Sequence, residues 1–288
     1  MNYGLHAVKT ITRRRVLETL ITPGFYIAAS AGLFFGYILV AGFTGSIDSG
    51  GLTFSLNPVY SQISKILSSI FGNSFVEKLF SHGPFRFAFL VALLPVFCYL
   101  SSSSVYKFGF EKNVGALELL NYGPSNSFSF SLAFLLKDLF FSASFSLLLV
   151  IFFSISAFLN NFIIGSDFFI FVVMIFFLVV GVLSYGILSV SLTDNAASSL
   201  ALFFGLLMFF SVVQIGSYAV TGEYVGNLSS AVSWVVRWFS PVFYWTVGIR
   251  AAEYGNVPLQ LLSISLLIVL SVALLFMSRI ALFVRGMR

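Results

Sequence analysis

Charged residues divide the chain into six long uncharged windows, Thr19 to Ile47, Phe87 to Tyr106, Leu139 to Ser166, Phe168 to Thr193, Asn195 to Gly222 and Tyr254 to Ser278. Each reaches the roughly 20 residues that a helix needs to cross a hydrocarbon core. Apolar residues inside the windows are continuous rather than alternating, and lipid offers no partner to open backbone groups, so helices are required and a barrel is excluded. The pattern predicts an all-α membrane protein with spans at about 24–45, 85–106, 131–158, 168–192, 197–220 and 257–281, forming one transmembrane domain over residues 1–288.

Residues 1–22 form a basic lead-in to the first span. Leu5, Val8, Thr12, Val16 and Leu20 share a helical face that Lys9 interrupts. This predicts an amino-terminal interfacial helix whose arginines reach lipid phosphates, with a simple basic anchor as the alternative. Thr22-Pro23-Gly24 breaks that helix, and Ala28, Gly32 and Gly36 then recur every fourth residue. Such a stripe of small residues lets a second helix approach closely, either within the chain or at a dimer seam. In the long loop from Thr44 to Gly83, Asn57-Pro58 is a helix start and Val59, Ile63, Ile66 and Ile70 form an apolar face, predicting a helix lying on the outer surface. Pro95 interrupts the second span and predicts a kink.

Two connecting stretches stand out. The first, EKNVGALELLNYGP from Glu111 to Pro124, reads as a short amphipathic helix over about 111–121, with Glu111, Gly115 and Glu118 on one stripe and Leu117 and Leu120 near the opposite side. Gly123-Pro124 stops it. Ser125-Asn126-Ser127 then offers capping groups to the third span, with Lys137-Asp138 near the beginning of that span. The second stretch, Glu223 to Pro258, holds Trp234, Trp238 and Trp245, which are all three tryptophans. Its uncharged run from Trp238 to Ile249 is too short to cross and is divided by Pro241, so a re-entrant outer helical pair at about 230–253 is predicted, against an interfacial aromatic belt. The inner link Ser191 to Ser199 is either a plain turn or a smaller partner contact.

Composition and charge narrow the function. At 59% hydrophobic and 9% charged residues, the chain lies far from soluble domains, in which about a quarter of residues are charged. With the amino terminus inside, Lys9, Arg13, Arg14, Arg15, Lys107, Lys112, Lys137, Arg279, Arg285 and Arg288 fall in the cytoplasm, and Lys65, Lys78, Arg86, Arg237 and Arg250 fall outside. Ten against five predicts both termini on the cytoplasmic side of the plasma (inner) membrane. Topology and anionic lipid account for the net charge of +5, so nucleic acid need not be invoked. Cys98 is alone, so no internal disulfide forms. There is no G-x-x-x-x-G-K-[ST] phosphate loop, and His6 and His82 are expected on opposite sides of the membrane, which argues against an ATPase, a metal cluster or a serine-histidine site in this chain. Gln214 reads as the most polar long side chain in mid-membrane, and the spans read as nearly free of buried acids and bases, which disfavours an ion-coupled carrier. A transporter without its own energy source takes it from a partner.

On Glu111, Gly115, Ala116, Leu117, Glu118, Leu119, Leu120 and Pro124, the chain resembles the permease subunit of ABC transporters of the type-2 export class, whose coupling stretch reads roughly E-x-x-x-G-T-L-E-L-L followed by proline. Lys137 stands where that family often has a lysine opening the third span, while Ala116 and Asn126 depart from its usual residues. The resemblance implies that this stretch is a cytoplasmic coupling helix docking on a separate ATPase subunit, which binds ATP and Mg2+, so that this chain needs no cofactor. It further implies assembly with a second, identical or different, permease. A non-transporting membrane anchor for an ATPase-driven surface complex, and a channel or ion-coupled carrier, are the competing readings.

Overall fold

The computed structural model describes residues 3–48, 84–115, 127–159, 164–219 and 236–284. Among them the chain is helical, in the order α1 (Tyr3–Ile21), α2 (Pro23–Asp48), α3 (Pro84–Asn113), α4 (Ser127–Leu159), α5 (Ser166–Leu192), α6 (Ala196–Ala219), α7 (Pro241–Glu253) and α8 (Val257–Val284). Six of these helices, α2 to α6 and α8, are long and apolar enough to cross a membrane. The outer-surface helix expected after Asn57, the end of the expected coupling helix and Trp234 lie outside the described residues.

Local chemistry sets the boundaries. Pro23 has no N–H to donate, so α1 ends in a tight turn in which Thr22 N–H donates to the Thr19 carbonyl at 3.2 Å and Phe25 N–H to the Thr22 carbonyl at 3.3 Å. Ser240 caps α7 by accepting from Phe243 N–H at 3.3 Å, with Pro241 in the first turn. Gly255, at φ 65°, takes the left-handed turn that ends α7, and Asn256 Oδ1 then accepts from Leu259 N–H at 3.2 Å to start α8. Pro95 sits inside α3 without ending it.

Two helices form the centre. α3 packs against α2, α4, α5 and α6, and α5 packs against α3, α4, α6, α7 and α8. About half of the span residues of these two are buried, against 28% or less for the other four spans, whose outer faces are rows of exposed Leu, Ile, Val and Phe. The α2–α3 contact runs along the small-residue stripe. A Cβ on Gly32 would overlap the Ala92 carbonyl oxygen and lie 3.0 Å from Phe145, while one on Gly36 would lie 3.2 Å from the Ala92 Cβ. Ala28 packs against the same core. The buried serines of α8 fit this interior because they bond locally: Ser263 and Ser271 donate to the carbonyls of Leu259 and Leu267 at 2.9 and 2.8 Å.

Candidate functional site

The second span does not stop where the expected coupling helix begins. α3 continues through Glu111 to Asn113, and Gly115, at φ 74°, then leaves the helical region with its N–H on the Lys112 carbonyl at 3.1 Å. Among the described residues, therefore, the helix that carries Glu111 does not continue through Gly115. Glu111 is the last turn of α3, and Gly115 takes the left-handed conformation that glycine tolerates. Leu117, Glu118, Leu119, Leu120 and Pro124 lie outside the described residues.

Glu111 is also not a bare carboxylate awaiting a partner. Arg15 Nη2 donates to both of its oxygens at 2.5 Å, while Arg15 Nη1 donates to Glu18 Oε2 at 2.8 Å. The Arg15 guanidinium lies over two α4 rings, 5.3 Å from the Phe130 centroid and 4.8 Å from that of Phe134. One arginine thus ties α1 to α3 and α4. Partial burial works against ionisation of Glu18, but Arg15 and Arg14 outweigh it and hold the carboxyl below its ordinary range. The face of α1 turned inward carries Val8, Arg15 and Thr19, with Ile11 and Val16 partly buried. Leu20, expected on the apolar face, is exposed with Leu17 and Ile21.

On its other side the end of α3 grips the turn between α5 and α6. Lys112, buried, donates to the carbonyls of Val190 at 3.0 Å and Thr193 at 2.5 Å, groups that the end of a helix leaves without intrahelical donors. Gly109 lets the two backbones meet, since a Cβ there would lie 2.9 Å from the Ala196 Cα. Within the turn, Asn195 Oδ1 accepts from Ser198 N–H at 2.7 Å and caps α6. The link from Ser191 to Ser199 is two helix ends joined by a three-residue non-helical turn, 193–195, clamped from α3.

The expectation of spans nearly free of buried acids and bases fails at Lys137 and Asp138. α4 begins at Ser127, so the pair stands eleven residues along it, about 16 Å from its start. Both side chains are 3% exposed, and Lys137 is not a loop cation. Lys137 Nζ donates to Ser104 Oγ of α3 at 2.6 Å and lies 2.8 Å from Asp138 Oδ1. That second approach is ionic contact at a poor hydrogen-bond angle, and Asp138 Oδ1 accepts no hydrogen bond. The expected span of 131–158 held this pair near its beginning, and the charge count placed Lys137 in the cytoplasm; α4 starts four residues earlier, at Ser127, which sets the pair further along the helix.

At the far end, α7 runs back along α5. Pro241 meets Gly181, where a Cβ would lie 3.1 Å from the Pro241 ring, and Trp245 packs on Phe171 at 6.0 Å between centroids. Gly181 is fifteen residues along α5, about 22 Å from its start, so the buried Ser240–Pro241 start of α7 lies well along α5, while Trp238 and Phe239 before it stay exposed. Tyr185 OH donates to the Phe239 carbonyl, and Tyr244 OH to that of Trp238 at 2.9 Å. Of the two described tryptophans, Trp238 is 53% exposed, whereas Trp245 packs against the core with its Nε1 unpartnered.

In comparisons with known proteins, the chain matches no family model, no curated protein and no solved structure. Its fold defines a multi-pass helical membrane protein.

Proposed function

We propose that this chain is the membrane-spanning permease subunit of an ATP-driven exporter, energised by a separate ATPase that docks on the cytoplasmic stretch following Glu111. The observation that carries this reading is the double grip on the end of α3. Arg15 holds Glu111 from the α1 side, and Lys112 holds the Val190 and Thr193 carbonyls from the α5–α6 side. A displacement applied just beyond Gly115 therefore reaches α1, α4, α5 and α6 together, which a slack loop could not achieve. In this reading α1 lies along the inner interface with its exposed Leu17, Leu20 and Ile21 toward lipid, and α7 is the returning half of a re-entrant outer pair. Both termini are cytoplasmic and a second permease completes the assembly.

The test is purification from native membranes in mild detergent, followed by assay of Mg-ATP hydrolysis and of ATP-dependent transport in vesicles. Hydrolysis should accompany the chain and fall in Leu117→Asp and Glu118→Arg while the thermal stability of the chain is kept. Absence of hydrolysis, or normal hydrolysis in both variants, overturns the reading. Hydrolysis without transport makes the chain a membrane anchor instead. The buried Lys137–Asp138 pair favours a second reading, an ion-coupled carrier, which predicts transport driven by an ion gradient without ATP.

A further inference from the structure

An ionised carboxylate inside a membrane span is costly and persists where it has a use or a complete set of partners. Asp138 has an incomplete set. It lines a cavity of about 10 Å3 with Ser101 and Ser104 of α3, Leu183 and Gly186 of α5 and Phe203 of α6. That volume holds about one water molecule. The pocket is too small for an organic solute, and the Lys137 ammonium 2.8 Å from Asp138 Oδ1 repels a metal cation. What remains is a ligand that a single water can carry.

We propose that Asp138 is an exchangeable proton site, served by one water in this cavity, with Lys137 and Ser104 as positioning residues. A hydronium formed at the water gives its proton to Asp138 Oδ1. A new O–H bond forms on the carboxyl group, neutral water is left behind, and the pair changes from zero net charge to +1. Release returns the proton to the same water. The charged groups facing Asp138 are few. Lys137 is adjacent on α4, Lys107 acts at longer range from α3, and α5 and α6 present only apolar groups and glycine to the cavity. From α1, Arg15 lies beyond the Phe134 ring, and from α8, Arg279 lies over Phe128, ten residues earlier on α4. Toward Glu111 the way is closed by Phe108, Phe130 and Phe134, whose centroids are 5.2 to 5.7 Å apart, with Arg15 over the latter two. Proton exchange is therefore slow with this seal shut and faster when Arg15 lets go.

The inference concerns this chain alone and holds whether or not an ATPase drives it. The test is infrared difference spectroscopy of the full chain in lipid nanodiscs, titrated between about pH 4 and pH 9, the range around ordinary and raised carboxyl values. A carboxylic C=O band should grow on acidification, shift in D2O and be absent in Asp138→Asn. Lys137→Gln should move its midpoint to higher pH, by about one unit or a tenfold change in proton affinity, because a neighbouring cation is lost. Arg15→Gln should hasten its shift in D2O. If Asp138→Asn does not fold, the intact chain labelled with carboxyl-13C aspartate identifies the band as an aspartate, and its displacement in Ser104→Ala assigns it to Asp138. No exchangeable aspartate band in that pH range, or a band unmoved by both Lys137→Gln and Ser104→Ala, overturns the proposal.

Discussion

Arg15 is the residue on which the inner end of the bundle is expected to depend most, and a double-mutant cycle with Glu111 measures this. Its side chain is 13% exposed and that of Glu111 is 23% exposed, so the pair is screened less than a surface ion pair. Arg15→Gln removes hydrogen bonds to a charged partner, about 1.5–3 kcal/mol, and the cation contacts on Phe130 and Phe134, about 0.5–1 kcal/mol each. Lipid-side solvent and rearrangement of Glu18 offset part of this, so a net loss of about 2–4 kcal/mol is expected. Glu111→Gln leaves Arg15 on Glu18 and on both rings, so its cost is smaller, about 1–2 kcal/mol. The double variant should resemble Arg15→Gln alone, giving a coupling of about 1–2 kcal/mol. Equilibrium unfolding in mixed detergent micelles, followed by tryptophan fluorescence, reads all four corners of the cycle. Additive losses, with coupling under about 0.3 kcal/mol, would refute the strut between α1 and α3.

Other outcomes follow from the same geometry. Gly32→Ala should cost about 1–3 kcal/mol by pushing α2 off the Ala92 carbonyl, whereas Gly205→Ala, with open space around it, should be neutral or stabilising by up to about 1 kcal/mol; equal effects would mean that α2 and α3 are not this close. Because its folded-state carboxyl titrates below the unfolded one, Glu18 stabilises the fold above the ordinary glutamate range, and this contribution disappears as pH falls through the lowered value. The stability gap between wild type and Glu18→Gln should accordingly close in acid, and a gap constant with pH would contradict the Arg15–Glu18 geometry. In single-tryptophan variants, lipid-borne quenchers should act on Trp238 and largely spare Trp245, which packs against Phe171; the reverse order would misplace α7.

The spans were legible because their signal is local. The first, fourth, fifth and sixth were expected at about 24–45, 168–192, 197–220 and 257–281, and the helices run Pro23–Asp48, Ser166–Leu192, Ala196–Ala219 and Val257–Val284. Errors fell where a helix carries charge past the apolar run. α3 keeps going to Asn113 and α4 starts at Ser127, because a helix satisfies its own backbone whatever its side chains are, and Lys112, Lys137 and Asp138 find their partners elsewhere. Those partners were invisible to periodicity. Arg15 and Glu111 are 96 positions apart, Lys137 and Ser104 are 33 apart, and no spacing rule links them.

The central position of α5 has a consequence for biosynthesis. This helix closes the cavity beside Asp138 with Leu183 and Gly186, yet it follows α3 and α4 in the chain and so is the last of the three to be synthesised. Without α5 the wall that Leu183 and Gly186 give this cavity is missing, so complete cover of Asp138 is a property of three helices together and not of α3 and α4 alone.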